Sequence, residues 1–456
     1  DGNLTAGPSY NTSLASTVDT VGEAVDIFSF NLSDGGTADG LAMQVSQVVV
    51  NVSGTSSDAQ RGQMTWRLNG PDAVNVVGVY NAGSDTVTFS GLSISVADGA
   101  NEDYTVNAYF NDNTGISDSA SVILSIDGDT DVVTSSNGTG MGTTTAVTNN
   151  FGLFYAVTAD RLVFTTQPAG SVSGSALSTQ PVVTAQDAFG NTDLTFAGDV
   201  TLSEASAGSL SGGFAAATQG VATFTAVNYT ATADQESFTL TANGTGFDPV
   251  EANAVISDVV ATRMQFVTQP APTSLISGQS LSFTTVPVVQ AQDANGLVDT
   301  GYSTDIVLSV SDPNEGVVAG IVNSLTGTGD SDISGTTVTL SPTGGAATFT
   351  GLALQYTNGG ATDSIALRAS SGGLTLATSS TLTVNALPVI TANNISVSGG
   401  SGTGGAFKVG DTVTATWNNT AGGDNNANIS AVTVDFSQFG GGAAVAATNS
   451  SGTWTA

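Results

Sequence analysis

Apolar and polar positions alternate at a period of two along much of this chain, the period of a β-strand with unlike faces. In GVATFTAV (220–227), Ala222, Phe224 and Ala226 alternate with Val221, Thr223 and Thr225. In ESFTLTA (236–242), Phe238 and Leu240 alternate with Ser237 and Thr239. DYTVNAYFND (103–112) puts Tyr104, Val106, Ala108 and Phe110 on one face, which the pattern assigns to a core. Further strands are predicted at 25–32, 43–54, 64–70, 75–81, 85–96, 121–128, 408–417 and 429–442. Turns rich in Gly, Asn and Asp separate them, as in DGGTADG (34–40). Strands at about 8–12-residue spacing predict an all-β chain of sandwich type.

One stretch recurs. RLVFTTQP (161–168), PVVTAQDAFGNTD (181–193), DVTLS (199–203) and GVATFTAV are answered by TRMQFVTQP (262–270), PVVQAQDANGLVD (287–299), DIVLS (305–309) and GAATFTGL (345–352). Phe164 maps to Phe266 (266 − 164 = 102), Asp187 to Asp293 (293 − 187 = 106) and Phe224 to Phe349 (349 − 224 = 125). A unit of about a hundred residues, with a larger insertion near 315–343, is a tandem array of small domains rather than a solenoid. Phe164, Phe224, Phe238, Phe266, Phe349 and Ile365 are the expected core.

These motifs resemble the bacterial immunoglobulin-like domains of invasin and intimin type, over two of about four units. The resemblance implies tandem immunoglobulin-like β-sandwiches in an elongated rod, a spacer on a cell surface, and no catalytic residue. The expected division is an N-terminal arm or linker (1–22), a β-sandwich (23–160), two immunoglobulin-like repeats (161–261 and 262–388) and a partial domain (389–456). The junctions near 155–161, 255–266 and 381–390 are short and partly apolar, which restricts a hinge. The last segment has 456 − 389 + 1 = 68 residues and is expected to leave Val413, Trp417, Val434 and Phe436 with one face wet. Its completion is expected from the rest of a longer chain or from a neighbouring copy, with 1–22 as the donor strand in a head-to-tail filament.

Charge narrows the partners. Acidic residues number 38 and basic ones 6, a net charge of −32. Arg61, Arg67, Arg161, Arg263, Arg368 and Lys408 are too scattered for a phosphate-binding stripe, so nucleic acid and anionic membrane are not expected partners. No apolar run approaches the roughly 18 residues of a spanning helix, so no membrane insertion is expected. Cys and His are both absent, which removes disulfides, thiolate metal sites and imidazole chemistry. Few tryptic sites and no cysteine fit an extracellular place, on a bacterial surface or in a secreted fibre. Lys408, the sole lysine, permits at most one lysine–asparagine isopeptide crosslink.

Candidate chemistry is sparse. IDGDTD (126–131) brings Asp127, Asp129 and Asp131 to alternate positions, where they form either a calcium site or a hydrogen-bonded polar turn. Asp330 and Asp332 repeat the idea at 327–335. Asp187 and Asp293 are expected to end a strand and cap a turn closed by Gly190 and Gly296 at positive φ. Arg161 and Arg263 either pair with an acid of the preceding domain or stay solvated. Trp66, Trp417 and Trp454 stack on sugars or fill cores, and cores are the commoner place. No carboxylate pair stands out for glycoside hydrolysis, so no enzyme is expected. The function expected is structural, as building block or stalk of a surface filament or large adhesin. The alternative is a module binding a carbohydrate or receptor through its outer loops.

Overall fold

The computed structural model describes residues 1–456 except 37–39, 151, 360, 361 and 428. Part of the loop expected at 34–40 and the start of FGLFYAV (151–157) therefore lie outside the described residues. The chain is all-β, with many small sheets and only short helical turns. Two compact units meet at Asp258/Val259.

Within the first unit, residues up to Val157 enclose one core. Strands Val25–Asp34, Asn101–Phe110, Met64–Gly70 and Ala73–Asn81 lie side by side, and the sheet path continues through Thr86–Val96 and Met43–Ser53 to Ser121–Ile126 and Leu153–Ala156. Tyr104, Val106, Ala108 and Phe110 all face inward, as their alternation requires. Phe30 sits opposite Tyr104 in the register and stacks on it at 5.9 Å. A short helix, Asp58–Gly62, is fixed by a capping box between Ser57 and Gln60. It aims Arg61 inward, where the guanidinium meets Asp85 at 2.8 Å and Ser56 at 3.0 Å.

Residues 1–22 are no arm. Gly2–Ala6 pairs antiparallel with Val25–Asp34, and Ser13–Ala15 pairs parallel with Leu153–Ala156. Leu4 and Leu14 are buried in the same core, and two apolar anchors suffice to hold a polar segment against it. The segment's backbone is in use, so it is not a free donor strand.

The repeated stretches build matching sheets. Arg161–Thr166 pairs with Val182–Gln186 and that with Val221–Thr223; Arg263–Thr268 pairs with Val288–Gln292 and that with Ala346–Thr348. The register shifts at the same place in both, between Phe164 and Thr166 and between Phe266 and Thr268. Each repeat also has a parallel edge pair, Ser171–Val172 with Ser257–Asp258 and Ser274–Ile276 with Thr383–Asn385. Phe164, Phe224, Phe238, Phe266, Phe349 and Ile365 are all buried. Strands are shorter than the alternation suggests: Glu236–Phe238 pairs with Val255–Asp258, and the chain then crosses to pair Thr241–Gly244 with Asp199–Ser203. One apolar alternation thus serves two sheets.

In 389–456 the strands contract further. Thr414–Asn418 is all that forms of 408–417, and the stretch 429–442 gives Thr433–Val434 followed by a helical turn, Ser437–Phe439. Gly440 closes that turn at φ 80°, a conformation a strand does not use. Trp417 and Phe436 are buried while Val413 and Val434 are half-buried, so the wet face is narrower than expected.

Candidate functional site

The turn after Val182–Gln186 is a hydrogen-bonded Asx turn. Asp187 Oδ1 accepts from the Phe189 and Asn191 amides at 3.0 and 2.8 Å, and Gly190 sits at φ 88°. The copy does the same: Asp293 Oδ1 accepts from Asn295 and Leu297 at 2.9 and 2.8 Å, with Gly296 at φ 89°.

The first copy also does something the second does not. Asp187 Oδ2 accepts from the Ser16 hydroxyl at 2.7 Å and from Asn191 Nδ2 at 2.8 Å. Asn191 Nδ2 donates again to the Asn113 carbonyl at 2.7 Å, while its Oδ1 accepts from the Ile116 amide at 2.8 Å. Asn113 Nδ2 closes the ring by donating to the Ser16 carbonyl at 2.6 Å. Ser16, Asn113, Asp187 and Asn191 are all buried. Leu297 stands where Asn191 would be in the second copy.

Two more carboxylates clamp the connecting segment. Asp118 accepts from the Val157 amide at 2.9 Å and the Leu194 amide at 3.0 Å, so it touches both sandwiches. Asp193 accepts from the Ala159 amide at 3.0 Å and from the Thr195 hydroxyl at 2.7 Å. Burial alone would raise the carboxyls of Asp187 and Asp193. Donors from Ser16 and Asn191 in one, and from Thr195 and Ala159 in the other, outweigh it and hold both below the ordinary value. In the second unit, Asp299 takes the Ala261 amide at 3.0 Å, the counterpart of the Asp193 clamp. The arrangement is a buried polar lock between two cores.

The other candidates separate. Asp127 accepts from the Thr144 hydroxyl at 2.6 Å, and that bond holds its carboxyl below the ordinary value. Asp131 accepts from Asn51 and from the Asp127 amide, both at 2.8 Å, while Asp129 is exposed. Asp330 and Asp332 bond Thr339, Thr337 and Ser334 around their own turn. Among the described residues no set of three acidic, Cys or His side chains is grouped to hold a metal ion. Arg161 donates to the Ala188 carbonyl of its own repeat at 2.8 Å and forms no ion pair. Among the described residues, the ion pairs are those of Arg61 with Asp58 and Asp85. Lys408 Nζ donates to the Ser401 carbonyl at 3.4 Å.

Trp66, Trp417 and Trp454 are core residues. Trp417 Nε1 donates to Asp424 at 2.6 Å, beside Thr391 and Asn394 on the same carboxylate. An apolar groove of about 280 Å³ lies between the two small sheets of this segment, lined by Ile395, Val397, Trp417, Val434, Ala447 and Trp454.

No protein-family model matches the chain. No curated protein matches it. Among solved structures it is similar to the Escherichia coli adhesin FdeC, at 12% identity over 85% of this chain and 96% of that one, with a TM-score of 0.32. Domains 5–6 of the S-layer protein SbsC align at 18% identity over 51% of this chain and 98% of that one, TM-score 0.17. A family 2 glycosyl hydrolase from Bacteroides cellulosilyticus aligns at 12% identity over 47% of this chain and 23% of that one, TM-score 0.21. All three fall below the level at which a likeness decides function.

Proposed function

We propose that this chain is a structural module of an extracellular surface protein, with serial β-sandwiches acting as a stiff spacer. The observation that carries the reading is the buried lock among Ser16, Asn113, Asp187 and Asn191. A flexible tether between independent binding modules gains nothing from desolvating four polar side chains at its joint. A spacer does, because each buried polar group tolerates one geometry and resists its neighbours. The clamps at Asp118 and Asp193 fix the connecting segment, and Asp299 repeats the second of them. In this reading the chain serves as stalk or filament subunit, its partners are further copies or the rest of a longer polypeptide, and it performs no catalysis.

The test is electron microscopy of native material labelled with antibody to the chain. Label repeating along a stalk or filament is the expected result. Label confined to a tip, with saturable glycan binding by the purified chain, would replace this reading with a carbohydrate-binding one.

A further inference from the structure

The outer face of the first sandwich carries an unusual juxtaposition. Ala73–Asn81 pairs with Met64–Gly70 as far as Gly78 and with Thr86–Val96 from Val79 onward, and Val74, Val77 and Val79 are 75%, 56% and 68% exposed. Arg67 lies opposite Val77 on one neighbouring strand and opposite Asn107 on the other, and Asn107 lies opposite Asp26. The row across four strands therefore runs Asp26, Asn107, Arg67, Val77. Asp26, the acid in that row, is two strands from Arg67, or about 10 Å at the usual strand spacing.

Arg67 is held but not neutralised. Its guanidinium carbon lies 5.6 Å from the Tyr109 ring centroid, and one terminal nitrogen donates to the Tyr109 hydroxyl at 3.4 Å. Among the described residues no carboxylate pairs with it, in contrast to Arg61, which is buried against Asp85 in the same sandwich. Arg67 Nε, Asn107 Oδ1 and Asn69 Nδ2 are buried without a hydrogen-bond partner among the described residues.

We propose that this face docks a second copy of the chain, with Arg67 receiving a carboxylate from the copy and Val77 and Val79 packing beside it. Exposed aliphatic side chains next to Tyr and Arg are the composition of a protein interface. Charge selects the occupant. With 38 acids against 6 bases, two copies repel over most of their surfaces, and a copy presents carboxylates almost anywhere. Contact between copies is favourable where a cation lies free among apolar neighbours, and Arg67 is such a cation. The cation gives the contact its address, and the valines supply buried area.

Sedimentation velocity of the full chain over a concentration series tests this. Wild type is expected to self-associate, at least tenfold more weakly in Arg67→Glu and in Val79→Glu. Unchanged thermal melting of both variants would show that the fold is intact. Arg67→Lys should retain part of the association, because it keeps the charge and loses the planar fork. A wild type that stays monomeric throughout, or variants that associate as wild type does, would overturn the proposal. So would binding to polygalacturonate without self-association.

Discussion

Ser16 and Asp187 lie 171 residues apart and share a buried 2.7 Å hydrogen bond. One belongs to the first core's N-terminal segment and the other to the first turn of the repeated stretch. Their contact turns a turn-forming carboxylate into part of a joint. Asn191 makes the joint specific, because its amide donates and accepts across the same boundary.

Replacing Asn191 by Ala strands the Ile116 amide and the Asn113 carbonyl in a buried place. An unsatisfied buried group costs about 1–3 kcal/mol, so the joint should loosen by a few kcal/mol while both cores stay folded. Hydrogen exchange should show loss of protection at Ile116 and little change at Val183. Equal loss at both positions would mean that the residue supports a core instead.

Phe224→Ala should destabilise its own sandwich by about 3–5 kcal/mol, because the ring is buried in a core separate from that of Trp66. Chemical denaturation followed through Trp66 fluorescence, with Trp417 and Trp454 replaced by Phe, should be nearly unmoved. A common shift of both transitions would show that the cores unfold as one.

The repeats were legible because phenylalanines recur at matched positions on alternating strands, and because an Asp before a Gly at positive φ announces its turn. The joint was not. Asn191 occupies a place where the next repeat has Leu297, and that difference was the available signal. Its partners at 113 and 116 lie outside any local pattern. Residues 1–22 read as an arm for a similar reason, since only Leu4 and Leu14 betray a segment held by backbone pairing. The Arg67 face is not legible in the sequence, because alternation at 75–81 assigns valines to a strand without saying which face is covered.

The joint should be steady from neutral pH to about pH 4 and weaken below it. Asp187 and Asp193 have folded pKa values below the ordinary Asp value of about 3.9, so the native state holds fewer protons than the unfolded one. Their stabilisation is therefore complete above that value and is lost as pH falls through the lower folded values. Melting measured from pH 7 to 2 should show this fall, and Asp187→Asn should flatten it. A joint that weakens between pH 8 and 6 would contradict the assignment.

Calcium should leave melting of the first sandwich unchanged. Asp127 and Asp131 are occupied by Thr144, Asn51 and their own backbone, as a hydrogen-bonded turn requires. Calorimetry with calcium and with chelator decides the matter. A calcium-dependent rise in melting temperature, lost in Asp129→Asn, would assign a metal site to Asp127, Asp129 and Asp131.

The fixed joint is the central claim, and the chain's lack of cysteine makes it directly measurable. Ser90→Cys and Thr201→Cys place one spin label on an exposed position of each sandwich in the first unit. Pulsed dipolar spectroscopy of the full chain should give one narrow distance distribution, which broadens when Asn191→Ala is added. A broad distribution in the otherwise native protein, unchanged by Asn191→Ala, would contradict the account.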